Sequence, residues 1–437
     1  MLMTRRTAIK FASTAFAVPF VYRLHAAAPS ETLRHASAGS AGRALSDIKE
    51  MVANKNVKLV AVCDVDSEKL AKCKAEFPHI NTYADWREML DKEKGLDSIG
   101  VGTPDHMHAP IGVSAMNRGI HVYGQKPLTS TVYEARRMAE IATAKKLVTQ
   151  MGIQIHSHSA HKSLVKLVQS GVIGKVNTVY SWIGKGWGDA SPRPEGGDEI
   201  PATFNWDHWL GVAAVRPYIG GKYYHPENWR KRLDFGTGTF GDMGCHLLDP
   251  VFSSLLLTAP TTVKCTAGGV NAHNWGPSNR VEYSFPGTAH TTEKLALYWS
   301  DGDFKPPETL KEKLGSAVPG GAGSLYFGEK GVIHSPYIGM PVLLPKEKFA
   351  DVKIEKVAED NHYFQYIDAV RGMGTTSTPF SYGGNLTESV LLGGVAMRFL
   401  NQELTWDAKN VKVTNVEAAN KFVKPVYRKG WEVEGIS

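Results

Sequence analysis

Asp242 and His246 stand four residues apart in Gly241-Asp242-Met243-Gly244-Cys245-His246 and share one face if that stretch is helical. Taking hydride from a carbinol requires a base for the hydroxyl proton, and an imidazole beside a carboxylate suits that work at neutral pH. Lys126, in Gly124-Gln125-Lys126-Pro127, can hydrogen-bond a substrate hydroxyl and ease its deprotonation. Gly39-Ser40-Ala41-Gly42 supplies the small residues that let a backbone turn and a helix N-terminus approach a pyrophosphate. Asp64 lies 25 residues after Gly39 and ends the next apolar run. An acid there accepts from ribose hydroxyls and repels a 2′-phosphate, which favours NAD over NADP. Each motif also has a plainer reading: a small-residue turn, a solvated lysine before a proline, a capping aspartate, a core histidine.

These residues need elements to hold them. From about 32 to 150, short apolar runs alternate with helical patterns, the mark of βαβ units and a parallel sheet. Strands are predicted at 57–63, 96–101, 120–123 and 147–151, with helices at 67–77, 109–118 and 134–145 between them. Ser67 is placed to cap the first of these helices. Leu33 to Ser37, which should form the first strand, reads poorly as one. Thr103-Pro104-Asp105-His106-Met107-His108 and Gln125-Lys126 each follow a predicted parallel strand, where open α/β sheets bind ligands. Beyond about 153 the texture changes to a helix at 162–170, strands at 176–187, 262–265, 281–285 and 294–299, and closing helices at 361–371 and 386–400. Boundaries follow at 29–152 for a nucleotide-binding domain and 153–437 for a substrate-binding, oligomer-forming α+β domain.

Residues 1–28 read as an export signal. Arg5-Arg6 with Lys10 precede an apolar stretch from Phe11 to Val21 and then Ala26-Ala27-Ala28, which points to the twin-arginine route and a periplasmic protein. Removing Arg5, Arg6, Lys10 and Arg23 takes four charges from the formal +7 and leaves +3, with no basic run to suggest nucleic acid. No apolar stretch is long enough to span a membrane. The four cysteines have neither CxxC pairing nor metal-ligand spacing, so no essential disulfide is expected. His156, His158 and His161 are candidates for the cleft, as are Trp182, Trp187, Trp206, Trp209 and Trp229, whose faces can stack on sugars. A zinc site from the histidines and Asp242 lacks any supporting spacing such as HExxH, and no metal is expected.

The three segments in this order resemble the glucose-fructose oxidoreductase, inositol dehydrogenase and rhizopine-catabolism (Gfo/Idh/MocA) family, from about residue 32 to about 405. Its glycine loop corresponds to Gly39, Ala41 and Gly42, and its ribose-binding acid to Asp64. Its Thr-Pro-Asn-x-x-His segment corresponds to Thr103, Pro104 and His108, with Asp105 in place of asparagine. Its Glu-Lys-Pro motif becomes Gln125-Lys126-Pro127, with the bond before the proline commonly cis. Its catalytic lysine, aspartate and histidine correspond to Lys126, Asp242 and His246. The resemblance implies a Rossmann domain followed by an open, mostly antiparallel sheet that often makes homo-oligomer contacts. It implies an NAD-dependent oxidoreductase acting on a CH–OH group of a sugar or polyol. Export, where free NAD is scarce, implies a tightly held cofactor. An NAD-dependent glycosidase using Tyr223 or Tyr224 is the alternative, and a non-catalytic sugar-binding protein a distant one. Ala41 and Gln125 are departures from the family pattern.

Overall fold

The computed structural model describes residues 32–314 and 318–437, so the predicted export signal lies outside the described residues. Alternation in the first part builds a doubly wound layer: β1 (Leu33–Ala38), α1 (Gly42–Val52), β2 (Val57–Cys63), α2 (Ser67–Glu76), β3 (Asn81–Tyr83), α3 (Trp86–Lys92), β4 (Ser98–Val101), α4 (His108–Asn117), β5 (His121–Gln125), α5 (Val132–Ala144) and β6 (Thr149–Gly152). All six strands are parallel, in the order β3-β2-β1-β4-β5-β6. The strands are near-continuous apolar runs because helices cover both faces.

The poorly scoring first segment is a strand at the sheet's centre. Its polar His35 is buried and pairs with Ser98 Oγ at 2.6 Å on neighbouring β4, so tertiary contact satisfies what propensity penalises. Helix α2 is capped by Asp66, which accepts from the backbone N–H groups of Glu68 and Lys69, rather than by Ser67.

The remainder supplies α6 (Ser159–Gln169), β7 (Val176–Ile183), α7 (Trp206–Leu210), α8 (Gly238–Leu255), β8 (Thr262–Ala267), β9 (Arg280–Pro286), β10 (Thr291–Asp301), α9 (Leu310–Leu314), β11 (Gly323–Gly328), β12 (Val332–Pro336), β13 (Val342–Leu344), α10 (His362–Val370), α11 (Phe380–Ala396), β14 (Glu403–Asp407) and β15 (Lys412–Val413). Nine strands form an open sheet in the order β13-β12-β11-β7-β10-β9-β8-β14-β15, antiparallel except for β7 with β10. The fold is thus α/β, a Rossmann-type layer joined to a mostly antiparallel α+β layer.

Chain order and spatial order part company near the end. Tyr363, Tyr366 and Ile367 of α10 pack with Leu33, Met51, Val57 and Tyr123 of the first layer. Residues 376–380 run along the edge of β6, where Met151 N–H donates to the Thr378 carbonyl at 2.8 Å and Thr376 Oγ1 donates to the Thr149 carbonyl at 2.8 Å. The edge that a parallel sheet would otherwise leave open is closed by its own chain. Helix α11 lies between α5 and α8 and locks the two layers together; Arg136 on α5 makes a forked pair with the buried Glu388 on α11. No described helix is long and apolar enough to cross a membrane.

Candidate active site

The strand order reverses direction of growth at β1 and β4, and the cleft opens there, at the carboxyl ends of the strands. Gly39 has φ +101°, and a Cβ on it would lie 2.8 Å from Ala44 Cβ and 3.0 Å from the Gly102 carbonyl oxygen. Gly42 opens α1 at φ +54°. Ala41, the apparent departure, sits at φ −139°, ψ 171°, an extended conformation open to any residue. It makes no side-chain cap and the first turn of α1 carries no acid, so the helix N-terminal amides face the cleft without a side-chain acceptor. Asp64 ends β2 and lines the same cleft; its carboxylate accepts from Ser40 N–H and Oγ and from Asp66 N–H at 2.8–3.1 Å. Burial raises its pKa and these hydrogen bonds offset part of the rise. Thr103 Oγ1, on the loop after β4, is buried at the cleft with no hydrogen-bond partner. Free amides, a held carboxylate and an orphaned hydroxyl fit a dinucleotide.

Pro104 lines the cleft beside Thr103. His108 ties two of its loops together, with Nδ1 2.8 Å from the Pro127 carbonyl and Nε2 2.8 Å from the Thr103 carbonyl. The Lys126–Pro127 peptide is cis. Gln125 lines the cleft, and its Nε2 donates to Asp47 Oδ2 at 2.6 Å; Asp47 also accepts from Arg43 and from the Tyr363 hydroxyl. The carboxylate missing at position 125 is therefore supplied from α1.

Lys126 and Asp242 meet at the substrate end. Lys126 Nζ donates to Asp242 Oδ1 at 2.8 Å and to the Asp242 backbone carbonyl at 2.7 Å. Of the rest of this cluster, the sequence offered Trp187 only as a stacking face and did not mark Lys185 or Arg230. Lys185 Nζ and Trp187 Nε1 donate to Asp242 Oδ2 at 3.0 and 2.8 Å, and Arg230 Nε lies 3.5 Å from Oδ1. Lys185 comes from the loop after β7 and Arg230 from a short 3-10 turn at Asn228–Lys231, with no motif to mark either. Burial pushes the Asp242 carboxyl up, but Lys126, Arg230 and Lys185 more than reverse this and hold it well below the usual carboxylate range. One carboxylate against three cations leaves the site positive, as a developing alkoxide requires.

His246 lies one turn further along α8. It lines a separate small pocket with Tyr337 and His161, and its Nδ1 is buried without a partner. Burial, then the nearby Lys126 cation, lowers its pKa to about 3. His156 and His161 stand against Asp249 rather than in the main cleft. Of the tryptophans, Trp209 and Trp229 line the cleft and Trp187 binds Asp242. Trp206 packs in an aromatic cluster, and Trp182 in the second sheet's core. Tyr223 and Tyr224 do not line the cleft.

Comparison with known proteins gives a consistent picture. Residues 35–153 match a family model described as an oxidoreductase family, NAD-binding Rossmann fold. Residues 158–291 match a second model, the oxidoreductase family C-terminal alpha/beta domain. A levoglucosan dehydrogenase of Pseudarthrobacter phenanthrenivorans is 23% identical over 188 residues, 43% of this chain and 40% of that one. A glycosyl hydrolase family 109 protein of Stenotrophomonas maltophilia is 30% identical over 131 residues, 28% of this chain and 29% of that one. The matched stretch thus spans less than half the length of these relatives. The WlbA dehydrogenase of Bordetella pertussis, solved with NADH and UDP-GlcNAcA, superposes with a TM-score of 0.61 at 15% identity, covering 86% of this chain and 99% of that one.

Proposed function

The chain belongs to the Gfo/Idh/MocA family of NAD-binding oxidoreductases, and from that premise we propose that it oxidises a CH–OH group of a sugar or polyol with a tightly held NAD. The observation that carries this reading is the Lys126–Asp242 pair at 2.8 Å in the cleft that begins at the glycine turn. Bound NAD supplies the hydride acceptor. Gly39, Ala41 and Gly42 would hold its pyrophosphate on the α1 N-terminus, Asp64 the adenosine ribose, and Thr103, Pro104 and His108 the wall beyond. Asp242 fixes Lys126, which donates to the substrate hydroxyl; Lys185 and Arg230 add positive potential as that hydroxyl loses its proton. His246 takes the proton. It is neutral at working pH, and negative charge developing nearby raises its affinity for a proton.

A glycosidase outcome, with oxidation followed by elimination, hydration and re-reduction, has less support. Tyr223 and Tyr224, like His246, lie outside the cleft lining, and the glycosyl hydrolase relative matches 28% of this chain against 43% for the levoglucosan dehydrogenase. We further propose export by the twin-arginine signal of residues 1–28 to the periplasm, and assembly of a homo-oligomer through the open sheet.

The test is to denature the purified mature protein and assay the supernatant by mass for NAD. About one NAD(H) per chain, followed by its reduction when sugars or polyols are added without free cofactor, is the expected result. Lys126→Met and His246→Ala should then each lower kcat by roughly 100-fold or more with NAD content unchanged. A chain that neither carries NAD nor binds it when supplied would end this reading. Aglycone release without accumulation of reduced cofactor would move it to the glycosidase.

A further inference from the structure

Two turns along α8 from Asp242, on the same helix face, three side chains from separate elements converge. His156 comes from the turn after β6, His161 from α6 and Asp249 from α8. Asp249 is wholly buried, and the donor atoms of all three lie within 4.8 Å of one another. His156 Nδ1 is 2.9 and 3.1 Å from the two Asp249 oxygens, and His161 Nδ1 is 3.3 Å from Oδ2.

The neighbouring hydrogen bonds accommodate hydrogen on Nε2 of His161. Ser253 Oγ donates to the Asp249 backbone carbonyl at 2.9 Å, so towards His161 Nε2, also at 2.9 Å, it acts as acceptor. With Nε2 carrying the hydrogen of the neutral ring, Nδ1 turns a lone pair on the Asp249 carboxylate. That Nδ1 is buried and has no hydrogen-bond partner. In that tautomer an acceptor faces an acceptor in a dry interior, an arrangement that a bound cation relieves.

We propose that His156 Nδ1, His161 Nδ1 and the Asp249 carboxylate form a binding site for a borderline divalent transition metal of the zinc class. Two imidazoles and a carboxylate are an established donor set for such ions, and metal–ligand bonds of about 2.0–2.1 Å place tetrahedral ligands about 3.3 Å apart. The two histidine–carboxylate separations, 2.9 and 3.3 Å, are near that edge, and all three ligand atoms lie within 4.8 Å of one another. The outer contacts also suit a metal site: Ser253 orients His161, and the Tyr382 hydroxyl holds Asp249 Oδ1 at 2.5 Å. A water completes the coordination. Asp242, His246 and Asp249 recur at i, i+4 and i+7 along α8, so the ion anchors the helix face that carries the proposed catalytic pair and ties it to α6.

The test uses the full mature chain and reads metal rather than turnover. Elemental analysis after purification in zinc-containing buffer should give about one zinc per chain. Chelator dialysis should remove it and lower the melting temperature, and zinc or cobalt should restore both. His161→Gln should weaken zinc binding at least tenfold, measured by titration of the chelated protein. If that variant does not fold, X-ray absorption on the zinc-loaded wild type should show two imidazole nitrogens in the first shell. Failure of the chelated wild-type chain to take up zinc or cobalt, binding unaltered in His161→Gln, or a first shell without imidazole would each overturn the proposal.

Discussion

At the residue scale, Gln125 is best understood through its partner. Its amide donates to Asp47, which burial already pushes up in pKa despite Arg43, Tyr363 and Gln125 itself. A glutamate at 125 would set two carboxylates at a 2.6 Å contact, and one of them would have to hold a proton. Gln125→Glu is therefore expected to destabilise the protein by about 2 kcal/mol at pH 7.5, with the loss shrinking on acidification. The sign follows from the raised pKa of the pair: the shared proton is present at low pH and leaves as pH rises through that value. Denaturant midpoints of both proteins at pH 7.5 and 5.5 measure it. A pH-independent difference would show that packing, not charge, decides position 125.

At the element scale, α8 and α11 cross so closely that the contact admits no side chain at Gly393. A Cβ there would lie 2.2 Å from Phe240 Cε1 and 2.3 Å from the Tyr283 hydroxyl. Gly393→Ala should cost about 1–3 kcal/mol through overpacking, read as a lower urea midpoint. Gly320→Ala, where nothing lies within 4 Å of the added methyl, should change stability by less than about 0.5 kcal/mol. Most of the βαβ rhythm from 57 to 152 was legible because its apolar runs are local, but β3 and α3 at 81–92 are too short to show it and α2 is capped by Asp66 rather than Ser67. The glycine turn, Asp64 and Lys126 were legible as residue types at ends of strands and Asp242 as a carboxylate on a helix, but the sequence set Asp242 beside His246 rather than against Lys126. What the sequence hid depends on distant pairing. Strand β1 owes its place to His35 on Ser98, and the α10 and 376–380 segments return to the first layer through contacts more than two hundred residues apart. Lys185 reaches Asp242 from the loop after β7 and Arg230 from a short 3-10 turn, and His156, His161 and Asp249 meet only once α6 lies along α8.

At the scale of the whole molecule, burial of imidazoles fixes how the fold responds to acid. His35 in β1, His106 after β4, His161 in α6 and His362 in α10 are each lowered to about 4 by burial, and His246 to about 3. They are spread over both layers, so no single loop can relieve them. In the unfolded chain each takes up a proton near pH 6.5, whereas in the fold each stays neutral. Every one thus stabilises the fold fully above pH 6.5, and that contribution drains away as pH falls towards its folded value, at about 1.4 kcal/mol per pH unit. Asp301, pushed up to about 7 by burial, works in the opposite sense: its contribution is present at low pH and lost as pH rises from about 3.9 to 7. A bare pH–stability curve mixes the two signs, and a single substitution separates them. His35→Asn removes one imidazole and leaves every carboxylate in place. Its stability should fall less steeply than that of the wild type between pH 6 and 4.5, by about 1.4 kcal/mol per pH unit, whatever the variant's stability at pH 7.5. Parallel curves for the two proteins would mean that His35 titrates in the folded sheet much as it does in water, against its full burial between β1 and β4.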